Sequence, residues 1–154
     1  MSAYIEIIRE LSEDKFQEIF ASSARKSRET YFARHGIKTP KQAGRMRRPG
    51  QKNALRAAAL FEALKQVDDD PLAEEILRVW LLGMRPLLAK ALDHLEIEND
   101  NGLTDSDDVN KIAELSADEL KNLVATLNGI ESDENIKIYL KFMGAKDVDS
   151  LMAG

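Results

Sequence analysis

Eight glycines and four prolines are all that this chain offers as breakers of regular structure, and nearly all of them fall where an amphipathic helix should begin or end. Helix interiors reject both residues. Proline removes a hydrogen bond and clashes with the preceding turn, and glycine loses more backbone entropy on ordering than any other residue. The sequence therefore predicts an all-α protein, a single compact bundle of about seven or eight helices with a kinked, buried central helix.

Tyr4, Ile5, Ile8 and Leu11 mark a first short apolar stripe. Ser12 is placed to cap a second helix that carries Phe16, Ile19, Phe20 and Tyr31 and ends at Gly36. Thr39, Pro40 and Gln42 have the pattern of a cap, a first-turn proline and a capping-box glutamine, which predicts a short helix through Arg45 that Pro49 and Gly50 terminate. From Asn53 to Val67 the apolar positions Leu55, Ala59, Leu60, Ala63, Leu64 and Val67 share one face, and Asp70 followed by Pro71 opens the next helix. That helix is apolar nearly all round, from Ile76 through Trp80 to Met84, as a central element would be, and Gly83 with Pro86 should kink or split it.

Residues 1–97 thus read as a helical core, 98–102 as a polar break, and 103–154 as an acidic helical subdomain docked on that core. Within the last part, Thr104 precedes a helix bearing Val109 and Ile112, Ser116 with Glu119 forms a capping box, and Ser132 precedes Ile136, Leu140 and Met143. Gly129 and Gly144 stand where carboxy-terminal caps belong. At 154 residues one domain is long enough to hide roughly 70% of its unfolded surface without staples.

Charge is distributed unevenly. Eleven of the residues 24–56 are lysine or arginine and only Glu29 is acidic, a balance of +10 in a chain whose total is −5, which leaves −15 for the rest. A local field of this kind decides which partner a surface attracts, whatever the overall isoelectric point. The partners that fit are nucleic acid, DNA or RNA, whose phosphates release counterions to bound lysine and arginine, or an acidic protein surface. If about five of the bases contact phosphate, raising salt from about 50 to about 200 mM should weaken binding a few hundredfold. Arg34, Lys38, Arg45, Arg47, Arg48 and Lys52 are the expected backbone contacts. The run from Gly44 to Gly50 sets three arginines beside glycine and proline, as hooks that read narrow minor grooves do, but it lacks their Arg-Gly-Arg-Pro core and points to no family. Tyr31 and Phe32 lie in the same stretch, either as platforms on which a base stacks or as core anchors.

Other chemistry finds little support. The absence of cysteine excludes disulfides, thiolate metal sites and a cysteine nucleophile, and it suits a reducing cytoplasm, the expected location. The Asp100–Asp108 region fails as a helix-loop-helix calcium loop, since Ile97 falls where the first carboxylate ligand belongs. His94, beside Asp93 on a leucine-rich helix, reads as a packed or surface residue, and His35 as a helix-end imidazole that complements the dipole. Phosphate-cradling glycine loops, paired-histidine metal spacing and serine elbows are lacking. The amino-terminal Met-Ser-Ala-Tyr-Ile-Glu is unlike a secretory leader and no stretch is long enough to span a bilayer, so no membrane partner is expected. The expected protein is non-catalytic and without cofactor, and it binds nucleic acid through the basic segment. The alternative is a protein-interaction module, an adaptor or assembly subunit with complementary basic and acidic surfaces, and either form could assemble as a homo-oligomer that doubles the basic surface.

Overall fold

Helix-starting side chains do what their positions suggest. In the computed structural model, which describes residues 4–37, 49–104 and 107–153 (side chains of 49–53, 107–109 and 153 excepted), Ser12 Oγ accepts from Lys15 N at 3.1 Å and starts α2. Ser116 and Glu119 close a reciprocal capping box, and Ser132 accepts from Asn135 N. The helices are α1 (Tyr4–Arg9), α2 (Glu13–Phe20), α3 (Arg25–Arg34), α4 (Pro49–Gln66), α5 (Asp70–Leu82), α6 (Arg85–His94), a 3₁₀ helix (Asp107–Glu114), α7 (Ala117–Leu127), α8 (Asp133–Phe142) and α9 (Val148–Ala153). No strand occurs among the described residues; one isolated bridge joins Asp100 and Leu103. The protein is all-α. Its chain divides into two units, Met1–Trp80 and Leu81–Gly154.

The first unit is built on stacked aromatics. Phe16 of α2 stacks on Phe61 of α4 with centroids 4.9 Å apart and on Phe20 at 5.5 Å, and Phe20 meets Phe32 of α3 at 5.5 Å. Such pairs add about 0.5–1.5 kcal/mol each to the burial of their area. Ile8, Leu60, Leu64, Leu72, Ile76 and Leu77 are fully buried around them. Polar ties fix the helix ends. Ile5 N donates to Asp70 Oδ1 at 2.9 Å, and Arg9 Nε donates to Leu64 O at 3.1 Å, satisfying a carbonyl that the last turn of α4 leaves open.

Several sequence expectations need correction in this unit. The expected second helix is two helices, because the chain turns through Ala21–Ser23 and re-enters at an extended Ala24; consecutive serines compete with the helix through their own side chains, which weakens its continuation there. Pro49 begins α4 instead of ending a preceding helix, in keeping with its freedom at a first helical position. The expected helix over 39–45 lies outside the described residues. The buried face of α4 is Arg56, Ala57, Leu60, Phe61 and Leu64, while Leu55 and Val67 are each 48% exposed. Phe61 decides that rotation, since its ring has the larger area to hide.

In the second unit α6 packs against α7 and α8 against α9. Gly83 lies in the break after α5, and α6 starts at Arg85 with Pro86 in its first turn. The polar break is a tight turn in which Gly102 takes φ +91°. A Cβ there would lie 2.7 Å from Leu88 Cβ, so the turn presses its backbone onto α6. The helix expected after Thr104 is 3₁₀ in geometry, with Ile112 its one fully buried side chain among those described; an Asp-, Val- and Asn-containing run has low α propensity and little else to anchor it. Gly144 ends α8 with φ +83°, whereas Gly129 does not take a positive φ and Asn128 closes α7 in the right-handed region. Asp149 of α9 receives both Lys137 and Lys141 of α8 at 2.8 Å.

Candidate nucleic-acid interface

Five members of the basic segment have described side chains: Arg25, Lys26, Arg28, Arg34 and Arg56. Lys38, Arg45, Arg47 and Arg48 lie outside the described residues; Lys52 lies on α4, with its side chain likewise outside them. The five divide into two groups by what they touch.

Arg56 and Arg34 are engaged by carboxylates of the first unit. Arg56 is 7% exposed and forks across Glu29, with Nη1 at 3.0 Å from Oε2 and Nη2 at 2.7 Å from Oε1. Its guanidinium also sits 4.1 Å from the centroid of Phe32, which makes it part of the α3–α4 packing. These hydrogen bonds hold the Glu29 carboxyl below the usual carboxylate range against the opposing effect of burial, with the Arg56, Arg25 and Arg28 charges adding to the lowering. Arg34 donates through Nη2 to Asp69 at 2.8 Å and remains 53% exposed.

Arg25, Lys26 and Arg28 form the other group. They occupy the first turn of α3, where no acidic residue accompanies them and Ala24 supplies no capping side chain. Arg25 and Lys26 are exposed and Arg28 is half-buried. Among the described residues none of the three makes an ion pair. Cations at the start of a helix oppose its dipole, so this arrangement costs about 0.3–1 kcal/mol per charge at a surface and is not a stabilising device.

The aromatics of the segment are not platforms for bases. Tyr31 is 5% exposed and Phe32 3%, and the Tyr31 hydroxyl is raised in pKa by burial first and by its hydrogen bond to Glu75 second. Both are core anchors of α3. His35 does not simply cap the helix end: its Nε2 lies 2.8 Å from Asp69 Oδ2, with its side chain 7% exposed. His94 is exposed and shares a hydrogen bond of 3.0 Å with Thr126 Oγ1. Among the described residues no three His, Asp or Glu side chains group as metal ligands, and no helix is long and apolar enough to cross a membrane. Sequence reasoning missed the buried role of Arg56, and nothing in the local pattern marks it, because an arginine on an α-helix is ordinarily solvated. The chain matches no protein-family model, no curated protein and no solved structure.

Proposed function

We propose that this is a non-catalytic nucleic-acid-binding protein whose basic segment, residues 24–56, contacts phosphates. The observation that carries this reading is that Arg25, Lys26 and Arg28 make no ion pair among the described residues, while Glu29, the segment's one acid, is engaged by Arg56. Three of the five described bases thus keep their charge outside any ion pair among the described residues, and clustered cations of this kind draw polyanions from a distance of about a Debye length, ~8 Å at physiological salt. Arg45, Arg47, Arg48 and Lys52, with Arg34 and Lys38 beside them, belong to the same basic segment of the sequence.

The test is fluorescence anisotropy with duplex and single-stranded probes across a salt series. The wild type is expected to bind with a slope set by several phosphate contacts, and Arg45, Arg47 and Arg48 changed together to glutamate to lose binding by at least a hundredfold, about the effect of removing three such contacts. A folded triple variant that binds as the wild type does would sink the assignment of those arginines.

A second reading, an adaptor or assembly subunit, is favoured by the charge of the two units. Residues 1–80 hold 15 basic and 12 acidic side chains, a balance of +3, whereas residues 81–154 hold 7 and 15, a balance of −8. Self-association that melts with salt in light scattering, in protein free of nucleic acid, would support that reading over the first.

A further inference from the structure

Glu29 stands four residues after Arg25 and three after Lys26 on the same helix, the spacings at which side chains of opposite charge meet. Elsewhere in the first unit such neighbours do pair: Glu6 with Arg9, Lys15 with Glu18, Glu62 with Lys65, and Glu74 with Arg78. Glu29 departs from that habit because a residue distant in sequence has taken both of its oxygens. Arg56 reaches it from α4, and a planar guanidinium is the one side chain whose fork matches a carboxylate at two points.

The arrangement is expensive for a fold. Arg56 is 7% exposed, and its Nε is buried and meets no hydrogen-bond partner among the described residues. A buried guanidinium with one donor unsatisfied is a place where an apolar residue of similar size would commonly serve stability as well or better. Departures from local rules of this kind cluster at functional positions.

We propose that Arg56 is an internal counter-ion that occupies Glu29, so that Arg25, Lys26 and Arg28 meet a phosphate backbone without an ion-pair partner among the described residues. Arg56 is then a positioning residue for polyanion binding and is itself too enclosed to touch a phosphate. This rests on the nucleic-acid reading. Without Arg56, Glu29 pairs with Arg25 or Lys26 and adds a negative charge to the surface that the ligand approaches.

The experiment measures binding of the full chain to a labelled DNA duplex by anisotropy at about 50 and about 200 mM salt, with helicity followed by circular dichroism. Arg56→Met is expected to weaken binding roughly tenfold and to flatten the salt slope by about 1, as the loss of about one phosphate contact would. Adding Glu29→Gln to Arg56→Met restores affinity to within about twofold, because the liberated carboxylate is gone. Adding Asp68→Asn instead restores the same net charge beyond the far end of α4, about 15 Å or more along the helix axis from position 56 and so past the Debye length of about 14 Å at the lower salt, and does not rescue. Unchanged binding by Arg56→Met, failure of Glu29→Gln to rescue, or equal rescue by Asp68→Asn each overturns the proposal. Should Arg56→Met not fold, Arg56→Gln carries the test, since it keeps an amide donor at that place on α4 but no charge to hold Glu29; binding equal to the wild type then overturns it. A wild type that binds neither duplex nor single strand removes the nucleic-acid reading and this role with it, whereas wild-type binding that the Arg56 variants leave intact removes the role of Arg56 alone.

Discussion

Asp69 Oδ2 lies 2.8 Å from His35 Nε2, two side chains each only 7% exposed, and the other carboxylate oxygen receives Arg34 at the same distance. Asp69 also accepts from Leu72 N at 3.4 Å, so one carboxylate caps α5 and holds the end of α3. Gly36, at φ +71°, and Ile37 complete that end, with Ile37 N donating to Phe32 O at 2.8 Å. The residues immediately before the central part of the basic segment are therefore fixed to the first unit by a single acid.

Replacing that acid tests the junction. Asp69→Ala removes a cap and leaves the closed imidazole and the half-exposed Arg34 without their acceptor, which predicts a loss of about 2–4 kcal/mol; the figure sits below the full cost of breaking a buried pair because solvent screens Arg34. Asp69→Asn keeps an oxygen for Leu72 N and should lose clearly less. Urea unfolding followed by Trp80, the single tryptophan, reads both values. Equal losses would mean that the cap contributes nothing.

The face of α4 yields a paired prediction. Phe61→Ala should cost about 3–5 kcal/mol, because it empties the site stacked on Phe16, whereas Leu55→Ala at a position 48% exposed should change stability by less than about 0.5 kcal/mol. The same urea titration checks both. Comparable losses at the two positions would show that the helix buries the face expected from sequence instead.

Gly102 is sensitive for two independent reasons. Its φ of +91° disfavours any side chain, and a Cβ would meet Leu88 Cβ at 2.7 Å and the Ala89 backbone nitrogen at 3.1 Å. Gly102→Ala is expected to destabilise the second unit by more than about 1 kcal/mol, while Gly129→Ala, with nothing within 4 Å and no positive φ, should be neutral or slightly stabilising. Thermal unfolding by circular dichroism distinguishes them.

Acid should loosen two specific ties. Glu29 is held below the ordinary carboxylate range first by its hydrogen bonds from Arg56, and Asp149 first by Lys137 and then by Lys141. A carboxyl whose folded pKa is depressed stabilises the fold fully above its unfolded value, near 4.3 for Glu and 3.9 for Asp, and that contribution disappears as pH falls through the depressed value. Stability measured by urea midpoint should thus fall below about pH 4, and the paired Glu29→Gln/Arg56→Met variant should fall less steeply than the wild type. An identical acid limb in the two proteins would contradict the sign of the shift.

Local chemistry made much of this fold legible. Ser12, Ser116 and Ser132 start helices because a hydroxyl there satisfies a backbone donor that the helix cannot, and Gly36 and Gly144 end them because their left-handed backbone suits a residue without Cβ. The split near Gly83 and Pro86 follows from the same kind of short-range rule. Where the reading depended on which neighbour an apolar face would find, as at Leu55 and Phe61, spacing alone could not choose. The break at Ala21–Ala24 and the helix α9, Val148–Ala153, were missed for a related reason: both are short, and packing outweighs propensity over so few residues.

The sequence by itself determined that the chain is helical, where most helices begin, and that an excess of lysine and arginine is concentrated in residues 24–56. Those properties depend on residues close together along the chain. Tertiary structure alone decided which charges are consumed: Arg56 meets Glu29 across 27 residues and Arg34 meets Asp69 across 35, while Arg25, Lys26 and Arg28 acquire no ion-pair partner among the described residues. Pairing of that range requires packed helices to bring the groups within reach, and the cost of enclosing a charge makes the pairing matter.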